Sequence, residues 1–353
     1  MKPRTSLRAC PRLALASLLA ACGSERHGSP APVLLTEVTR HVLHVGLDGS
    51  APDRAALGHV VSARVTDGGR HVVVLDFVSP FVKVFDGGGR FQAAFLEKGG
   101  GPGEARQPSA LAVAGDSLVL VADGTQGLSL FDLAGGVRGH ARVSGLLPLA
   151  AASACPGEWL LYGPRMERGS RLVATWLHRV RFVGADSVEV RSMLTDSLPG
   201  RLPTGLAYGL VSDGDGAVVR HTLGSRPRLM RLSCAGGEPR LLHEGEPLGT
   251  RAESPGGKRT VQTSLAPGMR APGGVAAVEG GVVFAEKVYV DAGRSRLDLT
   301  LLGAGGERTL SLDGDYVLQD SRPGVGVLIG TAEPFPQVFL VKPADFIGMF
   351  PPR

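Results

Sequence analysis

The chain has 353 residues, enough for one large all-β domain or two ordinary ones. Its 51 glycines and 25 prolines imply many turns, and it lacks asparagine altogether, which excludes Asn-linked glycosylation and Asn metal ligands. The net charge of +5 comes mostly from Lys2, Arg4, Arg8 and Arg12; without these four, the 38 Lys and Arg fall to 34 against 33 Asp and Glu, and no dense basic block follows, which argues against a nucleic-acid partner.

Residues 1–21 read as an export signal, with a basic head and a short apolar core, Leu13 to Ala21. That core is too short to span a bilayer as an anchor. It ends in Leu19-Ala20-Ala21-Cys22, which resembles the bacterial lipobox. The resemblance implies cleavage before Cys22, acylation of its thiol and attachment to a membrane, each buried CH₂ contributing roughly 0.8 kcal/mol. Gly23, where an Asp would imply inner-membrane retention, points to the outer membrane, with the chain facing the periplasm or the cell surface. The plainer alternative is an ordinary secretory signal that ends near Cys22. Cys10 fits poorly, because the apolar core lies after it. On this reading residues 22–32 are a lipidated flexible tether, 33–345 the folded domain and 346–353 a C-terminal tail. An exported compartment permits a disulfide between Cys155 and Cys234, although the two also suit separate small core positions.

Within the domain two stretches align. "HVVVLDFVSPFVKVFDGGG" starts at His71 and "LVLVADGTQGLSLFDLAGG" at Leu118. Each is an apolar run ending in Asp (Asp76, Asp123), a short loop, and a run ending in Phe-Asp (Phe85-Asp86, Phe131-Asp132), then a glycine turn. The first Asp residues are 47 apart and the Phe-Asp pairs 46 apart, a period of propellers and solenoids. β-Branched runs between glycine turns predict strands, and helix-period segments are hard to find. The turn recurs near Gly89, Gly136, Gly184, Gly237 and Gly306, and a last copy ends near Lys342-Pro343, making six units. The longest step contains an insertion, Glu244 to Ala271, with Arg251, Lys258, Arg259 and Arg270. "LLTEVTRHVLHVG", Leu34 to Gly46, is a strand without a unit, and the last unit supplies three strands. The N-terminal strand is therefore expected to close the ring as the outer strand of the last blade, which removes exposed edges.

"GGGPGEARQPSALAV…VLVADGTQGLSLFD" resembles the NHL-type and TolB-like bacterial six-bladed β-propeller lipoproteins, through Gly101-Pro102-Gly103-Glu104, Pro108, Val121-Ala122-Asp123 and Phe131-Asp132. The motif match spans about residues 59 to 140, and the Asn usual after Val-Ala-Asp is replaced by Gly124-Thr125-Gln126. The resemblance implies an all-β fold, a six-bladed propeller of four-stranded antiparallel blades. "GGGPGEAR" matches neither phosphate-loop pattern, and no helical run follows it. Gly101, Gly103, Glu104 and Arg106 are therefore expected in a connector between blades, with Glu104 and Arg106 bracing neighbouring loops or contacting a ligand.

Propellers bind ligands where loops converge near the channel. The ends of the second strands place Asp76, Asp123, Arg165, Arg220, His221, Glu286 and Lys287 as candidate rim residues. The bland reading is that they solvate the rim or brace blades. Enzyme readings are weaker. Propeller lactonases use an Asn at their calcium, which cannot occur here. His59, His71, His140, His178, His221 and His243 do not recur at one blade position, as a zinc site of the amidating lyases would need. No G-x-S-x-G is present. The expectation is a non-catalytic, exported, lipid-anchored binding or scaffold module for a protein, peptide or glycan, with no cofactor and no catalytic residue. The alternative is a propeller hydrolase or lyase with a metal, calcium or another divalent ion, held in the channel by Asp76, Asp123 and Glu286.

Overall fold

The computed structural model describes residues 42–46, 53–166, 173–197, 209–221, 226–245, 268, 270–291, 293–331 and 336–351. Cys22, the signal and tether, and Arg251, Lys258 and Arg259 of the insertion lie outside the described residues.

The structure is a six-bladed β-propeller, each blade a four-stranded antiparallel sheet. Blade 1 is Val60–Val65, His71–Asp76, Val82–Asp86 and Phe91–Phe95. Blade 2 is Pro108–Ala114, Leu118–Asp123, Gly127–Asp132 and Val137–Ala141. Blade 3 is Ala150–Cys155, Glu158–Met166, Val173–Phe182 and Val188–Ser197. Blade 4 is Leu210–Ser212, Gly216–His221, Arg228–Ser233 and Arg240–Glu244. Blade 5 is Arg270–Val278, Gly281–Asp291, Arg294–Gly303 and Gly306–Asp313. Blade 6 is Tyr316–Arg322, Gly326–Thr331 and Gln337–Val341, completed by the N-terminal strand Val42–Gly46. That strand runs antiparallel to the third strand of blade 6, Val42 opposite Val341 and Gly46 opposite Gln337. The first strands line the axis, each beside the next, and blade 6 returns to blade 1.

The second strands read as continuous apolar runs because both faces of a blade are buried. Side chains alternate across a strand, so each strand serves two interfaces. Val72 and Val74 pack with Leu328 and Val338 of blade 6. Val73 and Leu75 face the other way, onto Leu111, Val113 and Val121 of blade 2. Leu120 and Ala122 then meet Leu161 and Val180 of blade 3. The remaining interfaces follow the same rule, blade 3 with 4 through Trp176 and Val219, blade 4 with 5 through Val218 and Val275, and blade 5 with 6 through Leu299 and Ile329. The core is thus a set of six slabs between blades rather than one central nucleus.

The expected tail from residue 346 is corrected. Pro343–Gly348 forms a short helix, and Phe346, Met349 and Phe350 are buried in the slab between blades 5 and 6. Pro343 at the start of the helix fixes the backbone where its missing N–H costs nothing. The boundary at 345 divides a segment that the apolar effect holds together.

Candidate functional site

The ends of the second strands form one face of the ring, and most of the predicted rim residues there are consumed by the fold. Asp76 is fully buried. Its carboxylate accepts the backbone amides of Gly58 at 2.7 Å, His59 at 2.8 Å and Val78 at 3.1 Å, and pairs with buried Lys83 at 2.6 Å. Asp123 repeats the arrangement one blade on. It accepts the amides of Arg106 at 2.9 Å, Gln107 at 2.8 Å, Thr125 at 2.7 Å and Gln126 at 3.1 Å, and the Thr125 hydroxyl at 2.7 Å. Burial pushes both carboxyls upward. For Asp76 the bond from Lys83 and three amides outweigh it, and for Asp123 the bonds from Thr125 and the amides do; both end below the usual carboxylate range. Each repeated Asp clasps the strand-to-blade connector to its own blade. Neither is an open rim ligand.

Arg220 and Glu286 are brought together, at 2.8 Å, in a brace between blades 4 and 5. Arg220 also donates to the Ala285 carbonyl and lies 5.5 Å over the Phe284 ring. Glu286 takes a second cation, Arg270, at 2.6 Å. His221 is buried, its Nδ1 2.8 Å from the Tyr162 hydroxyl across to blade 3. Lys287 pairs with Asp315 and lies over the Tyr289 ring. Arg165 is half-buried opposite Thr175. The trio expected to hold a metal does not converge: Asp76, Asp123 and Glu286 are each tied down in a different blade. Among the described residues no group of three His, Cys, Asp or Glu is placed to hold a metal ion.

The glycine-rich stretch joins blade 1 to blade 2, as a connector. Glu104 closes its own loop rather than a neighbour's, its Oε2 accepting the amides of Gly100 at 2.8 Å and Gly101 at 2.7 Å. Gly103 has φ +78°, which favours glycine, and Arg106 is held through its amide by Asp123.

The axis carries charges that the repeat did not reveal. Arg64, in the first strand of blade 1, is 4% exposed. It donates to the Ala151 carbonyl of blade 3 at 3.0 Å, to Ala63 at 2.9 Å and to the Gln319 carbonyl of blade 6. Burial draws its pKa below the ordinary guanidinium range, Asp320 opposes that and nearby Arg322 adds to it. Asp320 is buried and accepts the Val65 amide at 2.9 Å. Arg322 donates through Nε to the Val65 carbonyl at 3.3 Å and through Nη2 to the Val113 carbonyl at 3.0 Å, with Asp67 3.1 Å from Nε. Two arginines thus stitch blades 6, 1, 2 and 3 across the channel. Carbonyls facing the axis would otherwise be unpaired, which is costly.

Beyond Arg322 the channel opens into a cavity of about 520 Å³. Its wall comes from the hairpins between first and second strands of five blades, through Asp67, Gly115, Ser153, Gly157, Ser212 and Arg322 among others. That is the opposite face from the one predicted. Cys155 lines it and is disulfide-bonded to Cys234 of blade 4, the Cα atoms 5.5 Å apart. The pairing left open by the sequence is thereby decided. Asp67 and Asp116 tie the hairpins of blades 1 and 2, Asp67 accepting the Gly115 amide at 3.1 Å and Asp116 the Gly68 amide at 2.8 Å. The sequence signal for this site was the charge in apolar first strands, Arg64 in "VVSARV" and Asp320 and Arg322 in "YVLQDSR".

No family model and no curated protein matches the chain. Solved structures share the fold. A protein described as exported, from Bacteroides fragilis, is 12% identical over 80% of this chain and 77% of its own, with a TM-score of 0.51. The Cps50 (Swd1) β-propeller domain of Myceliophteria thermophila is 12% identical over 81% and 97%, at 0.49. A gluconolactonase from Xanthomonas campestris is 12% identical over 80% and 88%, at 0.44. Likenesses at this identity show the fold alone.

Proposed function

We propose that the chain is an exported, non-catalytic binding propeller, held at the bacterial cell envelope by acyl chains on Cys22 and offering a protein, peptide or glycan the cavity at its first-strand mouth. One observation carries the reading: the cavity is walled by five blades, is lined largely by small residues and leaves polar groups open, while the acidic residues expected to do chemistry are locked in structural bonds. Its volume lies within the range of small-ligand pockets. The Cys155–Cys234 bond supports export, because such bonds persist in oxidising compartments. The Leu19-Ala20-Ala21-Cys22 sequence supports the anchor.

Fractionation of cells expressing the full chain tests the anchor. The Cys22→Ser variant is expected in the soluble fraction, and its retention with the membrane would overturn the lipid attachment. Native mass spectrometry of the full chain, isolated from its envelope, tests the binding role. A non-covalent small-molecule adduct lost in Ser153→Leu, whose larger side chain fills the cavity, is expected. Lactone or ester hydrolysis abolished by a chelator would establish the hydrolase instead.

A further inference from the structure

We infer that the mouth cavity takes a carboxylate, and that Arg322 is the residue that recognises it. The inference deepens the binding reading above and rests on it.

Arg322 is 6% exposed and its fork is partly committed. Nε and Nη2 serve the Val65 and Val113 carbonyls, while Nη1 has no hydrogen bond among the described residues and is not sealed from solvent. A guanidinium presents five N–H donors and no acceptor, so a free Nη1 calls for an acceptor from outside. The Ser153 and Ser212 hydroxyls line the same cavity and have no partner among the described residues. Three open polar groups therefore share one concave space.

The surroundings select among acceptors. Arg64 lies close enough to Arg322 for each cation to feel the other, and buried Asp320 acts on Arg64 more strongly than Arg322 does. Asp320 and Asp67 offset part of that charge, Asp67 from the Nε edge of the Arg322 guanidinium rather than from the Nη1 edge. Asp67 also sits 3.1 Å from Nε, so a doubly charged ligand would meet a carboxylate at the guanidinium's other edge. A single negative charge is favoured over a phosphate dianion. A carboxylate carries two acceptor oxygens, one for Nη1 and one for a serine hydroxyl, and charge-assisted bonds of this kind are about twice as strong as neutral ones. Glycines at 115, 157 and 214 leave room for the body of the ligand. The carboxylate can come from the C-terminus of a peptide or from an acidic sugar, and the chemistry at Arg322 is the same for both.

Calorimetric titration of the purified full chain tests this. The probes are N-acetylalanine and its amide, glucuronate and glucose, and inorganic phosphate. At least one carboxylate is expected to bind about tenfold or more tightly than its uncharged partner, the loss expected for one hydrogen bond to a charged group. N-acetylalanine alone would identify a peptide terminus, and glucuronate alone a sugar. Arg322→Gln is expected to abolish the preference for the charged probe. Because Arg322 also holds two backbone carbonyls, Ser153→Leu is the second variant; it fills the cavity without touching those bonds and should remove binding with unchanged unfolding. Equal affinity for charged and uncharged probes, lost in Ser153→Leu, would overturn the carboxylate assignment and leave the binding reading intact. Carboxylate binding that survives Ser153→Leu, binding of phosphate alone, or binding of no probe would also overturn it.

Discussion

Asp76 and Asp123 make the same clasp, but only Asp76 neutralises a buried lysine, and this difference has a measurable consequence. Asp76→Ala strands three backbone amides and leaves the Lys83 ammonium, 2% exposed in its side chain, with only the Val78 carbonyl at 3.3 Å among the described residues. Losing side-chain acceptors for backbone amides costs about 2 kcal/mol in total when water reaches some of them. Removing one partner of a buried ion pair costs about 3–5 kcal/mol. Since these contributions overlap, Asp76→Ala is expected to destabilise the propeller by about 4–5 kcal/mol, and Asp123→Ala, which strands no cation, by about 2 kcal/mol. The assay is urea unfolding followed by the fluorescence of buried Trp159 and Trp176, with linear extrapolation to water. The double variant Asp76→Ala/Lys83→Met removes the stranded charge and should recover about 2 kcal/mol of the loss. If Asp76→Ala costs no more than Asp123→Ala, or if the double variant is no more stable than Asp76→Ala, the buried cation is not what distinguishes the two clasps.

Both clasp carboxyls lie below their ordinary pKa when folded, so the folded chain binds fewer protons than the unfolded one as pH falls through about 4. The clasps therefore contribute their full stability above pH about 4 and lose it as pH falls through the folded values, and Asp76→Asn/Asp123→Asn should flatten the acid limb of a stability–pH curve. An unchanged acid limb would show that other carboxylates set it. Cys155 and Cys234 enclose a separation of 79 residues, so replacing both by alanine should lower stability by about 2–4 kcal/mol, read as a lower urea midpoint. Phe346→Ala should cost about 3–4 kcal/mol, because the ring is fully buried between blades 5 and 6; an effect below about 0.5 kcal/mol would restore the reading of residues 346–353 as a tail.

The repeat was legible because a propeller blade is a local unit. Each apolar run, each terminal Asp and each Phe-Asp turn depends on neighbours within about 20 residues, as the 16- to 18-residue reach of the Asp76 and Asp123 clasps shows. Asp86 and Asp132 are of the same kind, each accepting amides two and four residues on and so building the glycine turn the sequence displays. Even ring closure could be read, because three strands at one end and one unassigned strand at the other sum to a blade. What those acidic residues do could not. Alignment places an Asp at a strand end but not the amides that reach back to it, so residues spent on structure looked available for a ligand.

The candidate site was hidden for the complementary reason. Arg64 finds its partners 87 and 255 residues away, and Arg322 finds Val113 across 209. No period or motif records such contacts, and the short helix at Phe346 packs into the last interface for apolar reasons that its few residues do not announce. The sequence by itself determined the strands, the turns, the six units and the strand that closes them, because alternation and turn chemistry act between near neighbours. Only the closed ring decided which charges face the axis, which residues wall the cavity and that Cys155 meets Cys234, because those depend on distances that exist once blades 1 and 6 have met.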